Sequence, residues 1–388
     1  MPIISELGIT RFRNMDSVSI HPSPQINLIH GPNGSGKTSI LEAISVLAHG
    51  RSFRTHKYQR LVRDGAGEFT VFGRIKEGLA ASDSTAVGVR RASNGDCQFR
   101  MDGKNVQTSG ELAQRLPLQV IDAHSFLLLE GSAKVRRQFF DWLVFHVKHE
   151  FREAWKSYTR SVKQRNSLLR RDKISYSELE PWDREIARLG AQIQVLRAHV
   201  FKSFLKAFRT QIAECSDLGF LGNRIIHLSY QDGWKATQNN EALPQQYGAQ
   251  LRNGFERDRK LGYTSLGSHK SDIRITIDNI PAAEILSRGQ QKMLIAAMYI
   301  AEAEVYRQVT SQSVVFLLDD MPAELDRQRL ATLGSWINRL LSQVFVTGVE
   351  ANSLRSIWPE IENKTVKVFH VKHGTITEEQ AQAAKSGS

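Results

Sequence analysis

A glycine-rich loop that could hold a phosphate lies near the N-terminus. Residues 31–38 read Gly-Pro-Asn-Gly-Ser-Gly-Lys-Thr, the spacing of a P-loop, between an apolar stretch and a helical pattern. The glycines let successive backbone N–H groups curl around an anion, and the start of the following helix adds positive potential. Lys37 adds a full charge, and Thr38 is placed to ligate a nucleotide-bound Mg²⁺. The predicted ATP-binding residues are Gly31, Pro32, Asn33, Gly34, Ser35, Gly36, Lys37, Thr38 and Ser39.

Two carboxylates end an apolar run near the C-terminus. Residues 313–320, Ser-Val-Val-Phe-Leu-Leu-Asp-Asp, are too few for most helices and are rich in β-branched and aromatic side chains. They predict a buried parallel strand of the Walker B type. Asp319 would hold Mg²⁺ together with Thr38, and Asp320 would act with Lys37 in catalysis by orienting the attacking water. Most ATPases with such a strand carry a glutamate at this second position. Because aspartate is one methylene shorter, its carboxylate should reach the attacking water poorly, and we expect slow hydrolysis.

A serine and a glycine begin a long apolar helical pattern about thirty residues before this strand. Residues 285–291 read Ile-Leu-Ser-Arg-Gly-Gln-Gln, the form of an ABC-type signature. In ABC-type ATPases the signature completes the nucleotide site of a second protomer, so that two ATP molecules close a two-fold dimer. We therefore expect Ser287, Gly289 and Gln290 to contact ATP in trans.

Two further segments fit the same arrangement. Residues 321–326, directly after the double carboxylate, resemble the D-loop that crosses the dimer interface, which places Glu324 and Asp326 there. Thr347 ends the next apolar run, where most ABC-type ATPases carry a switch histidine.

The composition sets the class of protein. The chain has 388 residues, 41% of them hydrophobic, a net charge of +12 and two cysteines. This length allows two or three domains, the cysteine count favours a reducing cytoplasm, and the positive charge makes a polyanionic partner plausible. No apolar run approaches the ~20 residues of a membrane span, so no membrane role is expected.

The charge concentrates between the motifs. Residues 134–209 hold 18 basic against 8 acidic residues and carry two apolar stripes with helical spacing, joined by a linker at 170–181. The pattern predicts an antiparallel helical arm with two helices of roughly 45–55 Å. The expected DNA contacts are Arg188, Arg197, Lys202 and Lys206 on the arm, with Arg51 and Arg54 after the P-loop helix. A solvated helical face and packing between lobes are the alternatives.

Several separated stretches resemble the RecF family of SMC-like DNA replication and repair ATPases. They include Phe12-Arg13-Asn14, residues 31–42, 50–55, 136–142 and 287–291, and Leu318-Asp319-Asp320 with Glu324-Leu325-Asp326. The resemblance implies a weak, DNA-dependent ATPase and an ATP-dependent homodimer that binds duplex, single-stranded or gapped DNA. It also implies action with RecR and RecO in loading RecA at single-strand gaps and stalled forks. Gly267-Ser268-His269 departs from the Gly-Pro-His of the family.

Together these observations predict an α/β protein with an ABC-type P-loop ATPase head, in which helices flank a mixed sheet, and an inserted antiparallel helical arm. The head would comprise residues 1–130 and 285–388, and the arm with the signature-side lobe residues 131–284. Hairpins are expected at 68–106. A transporter ATPase subunit is one alternative, disfavoured by the basic arm and the long insertion. A DNA scaffold with a structural nucleotide is the other, disfavoured by the paired carboxylates.

Overall fold

A computed structural model describes residues 1–78, 82–215, 225–235, 242–358 and 365–379. The chain forms two compact units, Met1–Ser125 with Tyr306–Ser388, and Phe126–Val305. The division of the head from the arm at residues 130 and 285 stays a prediction. No helix in the described ranges is long and apolar enough to span a membrane.

The secondary structure alternates between strands and helices in the first unit and is mostly helical in the second. The described strands are β1 (Pro2–Phe12), β2 (Met15–Ile20), β3 (Ile26–His30), β4 (Glu68–Glu77), β5 (Ser84–Ala92), β6 (Cys97–Met101), β7 (Lys104–Val106), β8 (Leu118–Ile121), β9 (Ile226–Gln231), β10 (Asp272–Ile277), β11 (Ile280–Pro281), β12 (Val315–Leu318), β13 (Gln343–Gly348), β14 (Val366–Lys372) and β15 (Thr375–Glu379). The described helices are α1 (Lys37–His49), α2 (Ser109–Arg115), α3 (Leu127–Glu130), α4 (Ala133–Val147), α5 (His149–Leu169), α6 (Tyr176–Ala213), α7 (Leu243–Asn253), α8 (Phe255–Leu261), α9 (Ala282–Ile285), α10 (Arg288–Thr310), α11 (Met321–Glu324), α12 (Arg327–Arg339) and α13 (Ala351–Arg355).

The first unit contains a six-stranded sheet in the order β15-β14-β3-β13-β12-β8. All neighbouring pairs are parallel except β14 and β15. Strand β12 is buried along its whole length, as the apolar run before the two carboxylates predicted. Val346 of β13 pairs with Leu28 on one side and Leu318 on the other, so the carboxyl ends of these three strands lie side by side.

A second six-stranded sheet in this unit is an antiparallel arrangement in the order β2-β1-β4-β5-β6-β7. Strands β4 to β7 form the hairpins expected at 68–106. Asp102 and Gly103, both with positive φ, make the two-residue turn between β6 and β7.

Helix α1 packs in the core that both sheets contribute to. Ile40, Ile44 and Leu47 are fully buried in one cluster with Leu7 of β1 and Leu317 of β12. Because both sheets hold the helix, the loop that enters it is anchored on both sides.

In the second unit, α5 and α6 form the predicted antiparallel pair. Phe151 lies beside Arg197, with 5.7 Å from the guanidinium carbon to the ring centre, and Arg165 Nε lies 2.5 Å from Asp183 Oδ1. Residue numbers thus rise along α5 as they fall along α6.

The predicted lengths and linker need correction. The first helix breaks at Lys148, which is extended (φ −131°, ψ 98°), so α5 has 21 residues and spans about 31 Å. Helix α6 has 38 residues, about 57 Å, and begins at Tyr176 inside the expected linker. Ser175 and Glu178 form a capping box there, which starts the helix before Pro181.

A hydrogen-bonded histidine lies in this unit close to two buried tyrosines. His269 Nε2 bonds the Thr264 carbonyl at 3.1 Å, and since a carbonyl only accepts, His269 Nδ1 must accept from the Tyr158 hydroxyl at 2.8 Å. Tyr158 in turn bonds Tyr247 at 2.9 Å. Burial lowers the pKa of His269 to about 4.

We predict that stability falls as the pH is lowered, because of this histidine. Its pKa is about 4 in the folded protein and about 6.5 when unfolded, so the unfolded state binds the proton first. The contribution is complete above pH 6.5 and is lost as pH falls toward 4, on the order of 1–2 kcal/mol at pH 5. Urea unfolding at pH 7.5 and pH 5 should show a smaller difference for His269→Gln than for the unaltered chain.

The control is His124→Gln, since the His124 side chain is 65% exposed. An equal pH dependence in the His269→Gln variant and the unaltered chain would contradict the assignment.

Candidate functional site

The P-loop runs from the end of β3 to the start of α1. Gly36 caps the helix with φ 117°, and Gly31 has φ 149°. A Cβ on Gly31 would lie 2.2 Å from the Val371 carbonyl oxygen, so only glycine fits there. Lys37 Nζ donates to the carbonyl oxygens of Gly31 at 2.8 Å and Pro32 at 3.0 Å. Burial lowers the pKa of Lys37, and the nearby Asp320 and Asp319 oppose this.

The Asp319 carboxylate lies between two threonine hydroxyls. Its Oδ1 accepts from Thr38 Oγ1 at 2.9 Å and from Thr347 Oγ1 at 2.8 Å. Burial raises the pKa of Asp319, while the two hydroxyl hydrogen bonds favour its charged form. The structure thus brings together Thr38 and Asp319, the two residues predicted to hold Mg²⁺.

Thr347 also bonds the backbone of the second acidic residue. Its Oγ1 accepts from the backbone N–H of Asp320 at 2.8 Å, so one hydroxyl links two successive acidic residues. Asp320 adopts a left-handed conformation with φ 53° at the start of α11. The sequence identified Thr347 only as a replacement for a histidine and gave it no role; its place at the end of a strand beside β12 was the available signal.

A cleft of about 1010 Å³ opens beside the loop. One part is lined by P-loop residues with Asp319, Asp320 and Thr347. The rest is notably cationic, with four guanidinium groups, and is lined by Arg13, Asn14, Arg54, Arg60, Val62, Arg63, Asp64 and others. Its size and charge fit a nucleotide with several phosphates.

Glu42 is a site residue that motif reasoning did not single out. Its buried carboxylate accepts from Arg13 Nε at 3.0 Å, Arg13 Nη2 at 2.6 Å and Ser52 Oγ at 2.6 Å. Arg13 Nη1 also donates to the carbonyl of Arg60 at 3.0 Å. This network fastens the β1–β2 turn and the segment after α1 to the helix that begins at the P-loop.

The residues present fit ATP and Mg²⁺. Ser35 Oγ in the loop is buried and has no hydrogen-bond partner among the described residues, so the loop has a polar group left for a ligand. The Thr38 hydroxyl and the Asp319 carboxylate are the hard oxygen donors that Mg²⁺ prefers.

The signature residues form a helix start in the second unit. Ser287 Oγ accepts from the Gln290 N–H at 3.4 Å, and Gln290 Oε1 accepts from the Ser287 N–H at 2.9 Å, a reciprocal cap of α10. Ser287 is exposed, and Gly289 is half-buried. In the first unit, Glu324 ends α11, and Asp326 caps α12 by accepting from the Arg329 N–H at 3.0 Å.

The predicted DNA contact of Arg197 is wrong in this structure. Its guanidinium is fully buried and binds both carboxylate oxygens of Asp141, at 2.8 and 2.7 Å. It also donates to the Ser268 carbonyl at 2.7 Å. Burial disfavours its charge, but Asp141 outweighs this and the pKa of Arg197 is raised. Arg197 therefore holds α6 against α4 in the interior of the second unit.

The other predicted DNA contacts are at the surface. Lys202 and Lys206 are exposed on α6, while Arg188 is exposed but paired with Glu185 at 2.7 Å. Arg51 is exposed after α1, and Arg54 lines the nucleotide cleft. Contact of these five residues with DNA stays a prediction.

Comparison with known proteins identifies the family. The model of the RecF/RecN/SMC N terminal domain matches residues 3–377. The chain is 53% identical over 380 residues to the DNA replication and repair protein RecF of Saccharophagus degradans, covering 98% of this chain and all of that protein. The chain belongs to the RecF family. A second RecF, from Teredinibacter turnerae, is 50% identical over 376 residues, 97% of this chain and 96% of that one.

Solved structures confirm the fold class. A structure of the recombination mediator protein RecF with ATP, in the RecFOR pathway, matches with a TM-score of 0.84 at 22% identity over 98% of both chains. An SMC head bound to the C-winged helix domain of ScpA matches with a TM-score of 0.56 at 14% identity, also over 98% of both chains. The fold is the ABC-type ATPase head of the RecF and SMC proteins, and the transporter alternative is not supported.

We predict that Thr347→Val slows ATP hydrolysis by about tenfold or more. The change removes one donor to Asp319 and leaves the Asp320 N–H without its acceptor, a loss of about 1–3 kcal/mol in a partly buried site. Thr347→Ser keeps the hydroxyl and should retain most activity. Single-turnover hydrolysis and nucleotide affinity should be measured together, with affinity changing less than the rate.

The matched control is Thr332→Val, which removes a hydroxyl on α12 that bonds only its own helix at Gln328. Equal rates for the Thr347→Val and Thr332→Val variants would refute a catalytic contribution of the Thr347 hydroxyl.

Proposed function

We propose that this chain is an ATP-dependent DNA-binding protein that acts in recombinational repair of single-strand gaps and stalled replication forks. ATP binding closes a homodimer on DNA, and slow hydrolysis opens it. The observation that carries the proposal is the Thr38–Asp319–Thr347 cluster beside a P-loop, in a chain of the RecF family. The two curated RecF relatives support the repair role.

The nucleotide chemistry follows from the placement of groups in the cleft. Backbone N–H groups of the loop and Lys37 bind the phosphates, while Thr38 and Asp319 hold Mg²⁺. Bound Mg²⁺ would neutralise charge on the phosphate oxygens. Asp320 orients the attacking water and accepts its proton. The Thr347 hydroxyl fixes the backbone of Asp320. Asp320 is one methylene shorter than the glutamate of most ABC-type ATPases, so its carboxylate should reach the attacking water poorly and turnover should be slow.

The second half of each site comes from another protomer in this proposal. Ser287 is exposed at the start of a 23-residue helix, where its hydroxyl and the helix N-terminus can meet a phosphate. Asp326 and Glu324 would lie at the same interface. Interaction with RecR, and action with RecO and RecA, is proposed from the pathway named for the solved RecF.

The proposal predicts that two inactive variants restore activity when mixed. Lys37→Met removes the charge facing the phosphates, and Ser287→Arg places a bulky side chain where the partner's nucleotide must fit. Each alone should lose hydrolysis, and only Ser287→Arg should keep ATP binding. A heterodimer has one site with both defects and one with neither, so part of the activity should return on mixing.

Sedimentation with ATP must first show that heterodimers form. If they form and hydrolysis stays absent, either the two sites act only together or the signature does not act in trans. Failure of ATP to close the heterodimer would overturn the shared-site model, and unchanged ATP affinity in Lys37→Met would remove the P-loop assignment.

We propose the exposed face of α6 as a DNA contact, without Arg197. Lys202→Glu with Lys206→Glu should weaken binding to all sequences alike and reduce the log–log salt slope by about 2, since each phosphate contact contributes about 0.9. Binding to duplex, single-stranded and gapped DNA should be measured at several salt concentrations. ATPase activity without DNA should be retained.

The control is Arg100→Glu with Lys104→Glu, which makes the same change in net charge on the exposed β6–β7 hairpin. Equal loss of DNA binding in both double variants would indicate an effect of total charge. Unchanged DNA binding in the Lys202/Lys206 variant would show that this face is solvated and does not contact DNA.

A further inference from the structure

Two hairpin turns converge on one carbonyl oxygen of the phosphate-binding loop. The Ser35 carbonyl accepts from the backbone N–H of Gly374 at 2.9 Å and from Asn14 Nδ2 at 3.0 Å. Gly374 lies in the turn between β14 and β15, and Asn14 in the turn between β1 and β2. The two donors are about 360 residues apart in sequence, and together they satisfy both lone pairs of one acceptor.

Holding this carbonyl sets the direction of the next amide. In a trans peptide the C=O of one residue and the N–H of the next point to opposite sides. Fixing the Ser35 carbonyl on the turns therefore fixes the Gly36 N–H on the other side. Gly36 lines the cleft and caps α1, where backbone N–H groups bind anions.

The β14–β15 turn is packed too closely to shift freely. Gly374 has φ 77°, and a Cβ there would lie 2.2 Å from the Asn14 carbonyl oxygen. Strand β14, which leads into this turn, lies close to the start of the loop, where a Cβ on Gly31 would be 2.2 Å from the Val371 carbonyl oxygen. The rings of His30 and His370 stack with centres 4.9 Å apart, directly before the loop. The turn and the strand that leads into it thus contact the loop at both ends.

We infer that the C-terminal β14–β15 hairpin is a brace that pre-organises the phosphate-binding loop, with Gly374 and Asn14 as its positioning residues. It orders the Gly36 N–H before the nucleotide arrives, so that less ordering is needed on binding. This inference rests on the proposed nucleotide site. The β14–β15 hairpin, the last described hairpin of the chain, thus contributes to ATP affinity, although neither positioning residue performs the chemistry.

The chain offers a closely matched control for the test. Gly374 follows His373 in a two-residue turn with φ values of 49° and 77°, and Gly103 follows Asp102 in a turn with φ values of 47° and 76°. A Cβ on Gly103 meets no atom within 4 Å. Alanine costs the same backbone strain at both positions, and only Gly374→Ala also disturbs the loop contact.

The experiment measures ATP affinity, KM and kcat for Gly374→Ala and Gly103→Ala. We expect Gly374→Ala to weaken ATP binding by about threefold to tenfold, the loss of one hydrogen bond. KM should rise by a similar factor while kcat stays within about twofold, because the interaction is present in ground and transition states alike. Gly103→Ala should bind ATP as the unaltered chain does. Equal ATP affinity in both variants would overturn the inference.

A second variant keeps the test decisive if Gly374→Ala does not fold. Asn14→Ala removes the other donor to Ser35 without adding atoms, and should also weaken ATP binding about threefold to tenfold. Unchanged affinity in Asn14→Ala would then refute the brace. Failure of the unaltered chain to bind ATP would instead refute the proposed nucleotide site, so the two failures are distinguishable.

Discussion

The parallel register of β3, β13 and β12 is the constraint on which the candidate nucleotide site depends. Val346 lies between Leu28 and Leu318, so Thr347 and Asp319 leave their strands side by side and the P-loop leaves β3 beside them. Carboxyl ends of parallel strands meet at one edge, the place where ligands bind in open α/β sheets. A shift of one residue in this register would turn the Thr347 side chain to the opposite face of the sheet and break its contact with the Asp319 carboxylate.

The choice of threonine at the end of β13 has an electrostatic consequence. Asp319 is buried, which disfavours its charge, and the hydroxyls of Thr38 and Thr347 stabilise the carboxylate without adding a formal charge. A hydroxyl can donate and accept together, so Thr347 also takes the N–H of Asp320. A neutral imidazole has one N–H, so it could donate to the Asp319 carboxylate and accept from the Asp320 N–H only in one tautomer. One neutral group that needs no particular protonation state thus bonds both the Asp319 carboxylate and the Asp320 backbone.

Much of the head could be predicted from sequence because its signals are local. The P-loop spacing, the apolar strand before two carboxylates and the short strands at 68–106 each depend on a few adjacent residues, and each was confirmed as an element of the fold. The role of Arg197 could not be predicted in this way. Its partner Asp141 is 56 residues away on another helix, and a count of charges does not distinguish a buried guanidinium from an exposed one. The break at Lys148 likewise lacks glycine or proline as a signal.

The buried charges of the arm explain why its helices hold one alignment. Arg165 binds Asp183 at 2.5 Å and Asp258 at 2.7 Å, and Arg197 binds Asp141, all in the interior of the second unit. Sliding one helix along the other would leave a guanidinium or a carboxylate buried without its partner, at a cost of several kcal/mol. Apolar stripes alone would tolerate such a slide better, since one aliphatic contact replaces another. The ionic contacts therefore fix α6 against its neighbours, and with it the face on which Lys202 and Lys206 lie.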